Sequence, residues 1–410
     1  MLNWIQGLFT AKPKGRLGID VGSSAIKLVE ISSAVQPLSL ETYGLASLGE
    51  EALSESRSLT AAIESIRQGG GDDAGGGKTD NHGEIIFKAG LPSNSILGAF
   101  SDREISQIIK ELLIRSRAKA RRVCFSLPAF TTFFTVIELP PMKEKEIHAA
   151  IPYEAAKYVP IPLDEVFLDW SIISPSTSSG QAPSAGASTE LSRMSSEQAP
   201  STGLDSELDS RNSPQARASA VSSSALNSLP NGSEQAVNVL MVAILKEAVA
   251  KYTKIAQLSN LEMGALEPES FSLARALVGE SKDLSIIVDV GSSFTNIALM
   301  DRGSIRIVYN TRKKNHQETG QLNEDAVVEG INSVLDSYRA KSHSVVSPKC
   351  ILTGGRTQAP DFDKILKEKL NFEVLTLNSF EKINYLEGLE PALKEISSSF
   401  GVAVGLAMRE

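Results

Sequence analysis

One motif occurs twice in this chain. The octet Ile19-Asp20-Val21-Gly22-Ser23-Ser24-Ala25-Ile26 returns as Val288-Asp289-Val290-Gly291-Ser292-Ser293-Phe294-Thr295. Each copy lies between strand-like runs: Leu17-Gly18 and Leu284-Ser285-Ile286-Ile287 upstream, Lys27-Leu28-Val29-Glu30-Ile31 and Asn296-Ile297-Ala298-Leu299-Met300 downstream. Each therefore predicts a hairpin with a turn of small residues. Duplication of a domain is the simplest origin of such an echo, so the fold must hold two related lobes. The size agrees, because 410 residues, 41% of them hydrophobic, exceed one ordinary core.

The residue types in the echo suit phosphate chemistry. Turns built from Gly22, Ser23 and Ser24, and from Gly291, Ser292 and Ser293, let backbone N–H groups and hydroxyls approach phosphate oxygens without a bulky side chain between them. Asp20 and Asp289 end the first strand of each hairpin, where a carboxylate can hold water on Mg²⁺. Lys27 has two readings, a point charge for the same phosphates or a solvated strand residue. A single such turn is most often a plain hairpin; two of them favour a nucleotide cleft. A third segment, Lys349-Cys350-Ile351-Leu352-Thr353 followed by Gly354-Gly355-Arg356, lets backbone approach a flat ligand, although alone it would be an ordinary strand-to-helix turn.

Other features exclude. A net charge of -8 leaves no broad basic field, which argues against nucleic acid as the main partner. Cys124 and Cys350 lack metal-ligand spacing and fit a reducing compartment, so a cytoplasmic location is expected. His82, His148, His316 and His343 show no metal spacing either, and no zinc site is expected. No apolar run reaches the length of a membrane span. Leu2, Trp4, Ile5, Leu8 and Phe9 ahead of Lys12, Lys14 and Arg16 read as a membrane-touching amphipathic helix or as a locally packed terminus. The stretch Gly75-Gly76-Gly77-Lys78-Thr79 imitates the end of a P-loop, but Asp72 stands where the first glycine belongs and no strand precedes it.

Elsewhere, β-branched runs such as 122–126 and 131–139 alternate with helical patterns at 102–119, 143–158, 246–260, 324–340 and 361–370, which is α/β order. Asp102 is the expected N-cap of the first of these, with Ile105, Ile108, Ile109, Leu112 and Leu113 as its buried stripe. The Gly/Asp-rich segment 68–83 and the Ser-rich segment 174–236 cannot build a core. The second separates two strand-like runs, 166–173 and 237–244, expected to be neighbours in one sheet.

Together with Glu138-Leu139-Pro140-Pro141-Met142, Tyr158-Val159-Pro160-Ile161-Pro162 and Leu266-Glu267-Pro268-Glu269-Ser270, these motifs resemble the actin-like superfamily that includes the division protein FtsA, and within it the PilM family of type IV pilus assembly. The resemblance implies an α/β, actin-like (ribonuclease H-like) two-lobed fold with a subdomain inserted in the first lobe. The expected divisions are an N-terminal extension 1–15, a first lobe 16–86, an inserted subdomain 87–260 interrupted by 174–236, an interlobe connection 261–282 and a second lobe 283–410. The segment 301–323 is shorter than the family's, which implies a shortened small subdomain in the second lobe.

The resemblance also implies ATP and Mg²⁺ as ligands. Asp20, Gly22, Ser23, Ser24, Lys27, Asp289, Gly291, Ser292 and Ser293 would face the phosphates, Asp20 and Asp289 the metal, and Gly354, Gly355 and Arg356 the adenosine. It implies a cytoplasmic scaffold, peripheral to the inner membrane, that binds the N-terminal peptide of a PilN-like membrane protein and other pilus platform or motor proteins, with a homo-oligomeric ring as a possible assembly. Tyr153, Glu154 and Tyr158 are the candidate partner contacts, on a helix whose stripe is of a kind more often core than interface. At most weak ATPase activity is expected and no catalytic residue is assigned; Glu267 is weighed as a base or as the cap of a turn before Pro268. The alternatives are an active ATPase or small-molecule kinase, or an FtsA-like tether, although residues 400–410 read as a helix packed inside a lobe.

Overall fold

The computed structural model describes residues 15–22, 24–32, 37–47, 86–88, 100–173, 236–292, 294–312, 324–342, 346–357 and 361–409. Segment 68–83, most of the Ser-rich stretch, Gly75 to Thr79, Ser23, Ser293 and residues 1–14 lie outside them.

The sequence echo becomes a structural one. In the first sheet, β1 (Gly15–Val21), β2 (Ala25–Ser32), β3 (Ser39–Ser47), β4 (Ile86–Lys88), β5 (Arg122–Leu127) and β9 (Glu262–Pro268) take the order β4-β3-β2-β1-β5-β9. In the second, β10 (Ser285–Val290), β11 (Phe294–Asp301), β12 (Ser304–Arg312), β13 (Lys349–Thr353) and β14 (Val374–Thr376) take the order β12-β11-β10-β13-β14. Both run antiparallel through their first three strands in sequence and parallel beyond, so β5 beside β1 corresponds to β13 beside β10. The strands at the centre are apolar on both faces, as sheets covered twice require: Leu17, Ile19 and Val21 are buried in β1, Ile286, Val288 and Val290 in β10.

Helices α1 (Asp102–Arg115) and α3 (Lys246–Leu258) cover one face of the first sheet, α1 through the stripe its period announces, Ile105, Ile108, Ile109, Leu112 and Leu113. Its N-cap is Ser101 rather than Asp102. The Ser101 hydroxyl accepts from the Glu104 N–H (3.3 Å) while the Glu104 carboxylate accepts from the Ser101 N–H (2.8 Å), a reciprocal box that leaves Asp102 in the first turn. In the second lobe α5 (Glu324–Ser342) and α6 (Phe362–Lys369) pack on the outer face through Val327, Ile331, Val334, Leu335, Phe362 and Leu366.

A third sheet, β6-β8-β7, is built from β6 (Thr132–Leu139), β7 (Val166–Ile173) and β8 (Val237–Leu245), with α2 (Glu144–Tyr158) packed on one face through Ile147, Ile151 and Ala155. β7 and β8 pair antiparallel, with Ile173 opposite Asn238, so the Ser-rich segment joins two adjacent strand ends. Helix α1 and strand β5, although inside 87–260, belong to the first sheet and its core. We therefore propose narrower bounds for the inserted subdomain, residues 132–245.

Between the two large sheets lie α4 (Glu269–Leu273), continued by a π turn (Ala274–Val278), and α7 (Glu390–Ala407). They follow β9 and β14, the corresponding last strands of the two lobes. Residues 400–407 are buried, as expected of a helix inside the fold. Where the helices meet, a Cβ added to Gly405 would fall 1.9 Å from the Ser272 carbonyl oxygen, a position no side chain can occupy. Gly405→Ala is expected to lower stability by about 3 kcal/mol or more, because the backbone of α4 must retreat. Gly388→Ala, with nothing within 4 Å of its added methyl, should change it by less than about 0.5 kcal/mol; urea unfolding of the two variants checks the contrast.

Candidate functional site

The two hairpin turns face each other across the interlobe space. In each, a short bond closes the turn: Gly22 N–H to Ala25 O and Gly291 N–H to Phe294 O, both 3.0 Å. A cleft of about 400 Å³ opens between them, lined by Asp20, Gly22, Ser24, Lys27, Asp289, Gly291, Ser292, Gly354, Gly355 and Arg356. Ten of the twelve cofactor candidates thus converge, and the other two, Ser23 and Ser293, lie outside the described residues.

Asp20 is 4% exposed. One carboxylate oxygen accepts from Ser126 Oγ on β5 (2.8 Å), and the other faces Lys27 Nζ (3.3 Å). Antiparallel register sets Lys27 directly opposite Asp20, so its ammonium turns into the cleft and the solvated-strand reading is set aside. In the second lobe the same register sets Asn296 opposite Asp289 (Nδ2 to Oδ2, 3.5 Å). Asn296 Nδ2 also donates to Glu269 Oε2 (2.8 Å), while the buried Asn296 Oδ1 has no partner.

Glu269, at the start of α4, lines the cleft and escaped the sequence reading. Its carboxyl is held well above the usual carboxylate range, first by burial and then by Asp20 and Asp289, with Lys27 and Asn296 opposing. Burial pushes Asp289 up to about 6; Lys27 opposes this and Asp20 reinforces it. The neighbouring Glu267, by contrast, is tied into the frame. Arg275 grips both its oxygens, Arg409 reaches Oε1 (3.0 Å) and Ser272 Oγ donates to Oε2 (3.2 Å). It is absent from the cleft lining, so its role is to join β9 to the ends of α4 and α7.

The third segment supplies the far wall. Gly354 adopts φ +101°, and a Cβ there would fall 2.5 Å from Asp289 Oδ1 and from the Val290 backbone. Its N–H donates to Ser398 O (2.6 Å), Thr353 Oγ1 donates to the same oxygen (2.8 Å), and Arg356 N–H donates to Val290 O (3.1 Å). Ser398 on α7 also lines the cleft, with its buried Oγ unpartnered.

This donor set fits a phosphorylated ligand with a hydrated divalent ion. The backbone at Gly22 and Gly291 carries no side chain to obstruct an oxyanion, Lys27 supplies positive charge, and the buried carboxyls can orient metal-bound water. Among the described residues, no three His, Cys, Asp or Glu side chains converge to hold a metal by themselves, so waters and phosphate oxygens would complete the shell.

Tyr153, Glu154 and Tyr158 lie elsewhere, on α2. Tyr153 and Tyr158 are 78% and 48% exposed, which excludes the core reading for both, and Glu154 pairs with Lys157 (2.7 Å). Burial raises the thiols of Cys124 and Cys350 to about 12, leaving both unreactive.

Two lobes of common topology closing on one cleft define the actin-like ATPase fold. Across 96% of this chain and 98% of the other, the fold matches the solved structure of a PilM–PilN type IV pilus biogenesis complex at 19% identity and a TM-score of 0.59. EutJ, an ethanolamine utilization protein from Carboxydothermus hydrogenoformans, is 12% identical over 97% and 90% of the two chains, at a TM-score of 0.41. MreB5 of Spiroplasma citri bound to ADP is 10% identical over 96% and 94%, at 0.38. Both scores are too low to add to the fold assignment. The family model of the type IV pilus assembly protein PilM matches residues 84–185 and 321–410. Over those residues, just under half of the chain, it is similar to the type IV pilus assembly protein PilM, and it shares the fold of the PilM–PilN structure. Among the described residues no helix is long and apolar enough to cross a membrane.

The raised pKa of Asp289 gives a signed expectation. Between the ordinary carboxylate value of 3.8 and about 6 the folded chain binds more protons than the unfolded one, so the contribution of this group to stability is greatest below pH 4 and is lost as pH rises through 6. Asp289→Asn removes the buried charge and should stabilise the protein at pH 7 by about 1–3 kcal/mol, with a smaller gain at pH 4. Denaturant midpoints at the two pH values check it.

Proposed function

We propose that the interlobe cleft binds Mg·ATP as a structural ligand, and that the protein is a cytoplasmic scaffold of the type IV pilus inner-membrane platform. The observation that carries this reading is the convergence of both hairpin turns and the Gly354–Gly355 wall on one cleft floored by buried carboxyls. Asp20 and Asp289 orient the hydrated Mg²⁺, and Lys27 with the turns of both lobes holds the phosphates. Gly354, Gly355 and Arg356 border the nucleoside. The ligand bridges two lobes, so binding selects one interlobe arrangement, and that arrangement is what the protein offers its partners. The inserted subdomain receives the N-terminal peptide of a PilN-like membrane protein, which keeps the chain peripheral to the inner membrane. The exposed Tyr153 and Tyr158 on α2 support an apolar peptide contact there.

Glu269 supports a second reading, slow ATP turnover. A buried carboxyl with a raised pKa, facing the cleft between two aspartates, can orient and deprotonate a water.

Calorimetric titration with Mg·ATP is expected to show saturable binding that weakens at least tenfold, about 1.4 kcal/mol, in Asp20→Ala. Absence of heat in the parent chain contradicts the nucleotide reading. Glu269→Gln should retain binding, and phosphate release from the parent that survives in this variant rules out the role given to Glu269. Titration with a PilN-like N-terminal peptide, with and without ATP, tests the partner and its coupling; Tyr153→Ala should weaken it.

A further inference from the structure

The last torsion of an aspartate side chain lies in a broad well, so a carboxylate is placed by its partners rather than by its own rotamer. Asp20 is therefore only as well aimed as the groups on its two oxygens. Lys27 meets one from the adjoining strand β2, and Ser126 meets the other from β5, on the opposite side of β1. The parallel register sets Phe125 beside Ile19, which brings Ser126 to the level of Asp20.

Unlike Lys27, Ser126 is absent from the cleft lining and is fully buried. Pro128 and Ala129, just beyond it, do line the cleft, so Ser126 lies directly behind the wall. Its hydroxyl has one proton to give. Oγ accepts from the Val21 N–H (3.3 Å) and donates to Asp20 Oδ1 (2.8 Å), so the backbone of β1 sets its polarity. Oδ2 of Asp20 is left on the Lys27 side, with lone pairs for a further donor.

The second lobe repeats the strands without this contact. β13 takes the place of β5, and its Thr353 lies beside Asp289. The Thr353 hydroxyl donates instead to Ser398 O on α7 (2.8 Å), and Asp289 is approached by the Asn296 amide at 3.5 Å, a long contact for a hydrogen bond. The two aspartates of the duplicated motif are thus held differently, the first from behind by a buried hydroxyl.

We propose that Ser126 is a positioning residue for the divalent ion: by holding Oδ1 it aims Oδ2 of Asp20 at the ion's water shell. This inference rests on the nucleotide reading above, and it assigns the fixed carboxylate of the site to the first lobe.

Calorimetric titration of the full chain with ATP, in excess Mg²⁺ and again in EDTA, is the test. Ser126→Ala should weaken Mg·ATP binding about tenfold, the low end of what such supporting groups contribute to metal affinity, and change metal-free ATP binding by less than about twofold. Ser126→Cys fills the same space with a weak donor and should shift in the same direction. In an Asp20→Ala background the added Ser126→Ala should cost less than about twofold, because its acceptor has gone. Circular dichroism at the titration temperature checks that each variant is folded. Undiminished Mg·ATP affinity in both Ser126 variants, an equal loss with and without metal, or full additivity with Asp20→Ala would overturn the proposal. Absence of Mg·ATP binding in the parent chain is a different failure, since it removes the nucleotide reading itself and this proposal with it.

Discussion

The backbones of α4 and α7 touch where Gly405 lies on Ser272, and the two lobes are joined through that crossing. Helices normally approach to 8–10 Å because side chains separate them; here one side chain is missing and the separation closes. Glu267 locks the same region, binding Arg275 of the first lobe's helix and Arg409 at the end of the second's, while Arg275 also donates to Gly405 O (2.6 Å). Tyr43 meets Phe380 and Phe400 edge-on, those two rings pack against each other at a tilt, and the three extend one apolar cluster across both sheets. Contact is thus concentrated at the back of the molecule, and the front is left as a cleft.

The duplication supplies two similar walls, and the differences between them set the chemistry. Asp20 faces a lysine and Asp289 faces an asparagine at the same register position. The first lobe therefore carries a compensated carboxylate, while Asp289 and Glu269 lack a cation of their own, which is why burial raises both. Such a site is costly to hold empty and is relieved by a ligand that brings cationic charge. A hydrated divalent ion with its phosphates is one, and this links the electrostatics to the proposed function.

Much of this architecture is legible in the sequence because it depends on local pattern. The twofold Asp-Val-Gly-Ser-Ser motif fixes the hairpins, and the 3.6-residue period of 102–119 fixes the buried stripe of α1. Extending the repeat by a few residues would also have aligned Lys27 with Asn296. Glu269 has no such local signal, because its role depends on where β9 ends relative to the other lobe, which is a tertiary fact. The same holds for Glu267, whose partners Arg275 and Arg409 come from different elements, and for α1 and β5, which follow the first hairpin only after a long stretch of chain yet complete its sheet. Helix α2 shows the converse: its pattern left core and surface open, and only the packing of Ile147, Ile151 and Ala155 turns Tyr153 outward.

A single nucleotide held by both lobes at once would protect amides on both walls of the cleft, which hydrogen exchange with and without Mg·ATP reads residue by residue. Simultaneous slowing is expected at Gly22, at Gly291 and at Gly354 to Arg356, with the slowing lost in Asp20→Ala. Slowing confined to one lobe, or none at a nucleotide concentration that saturates binding, would contradict it.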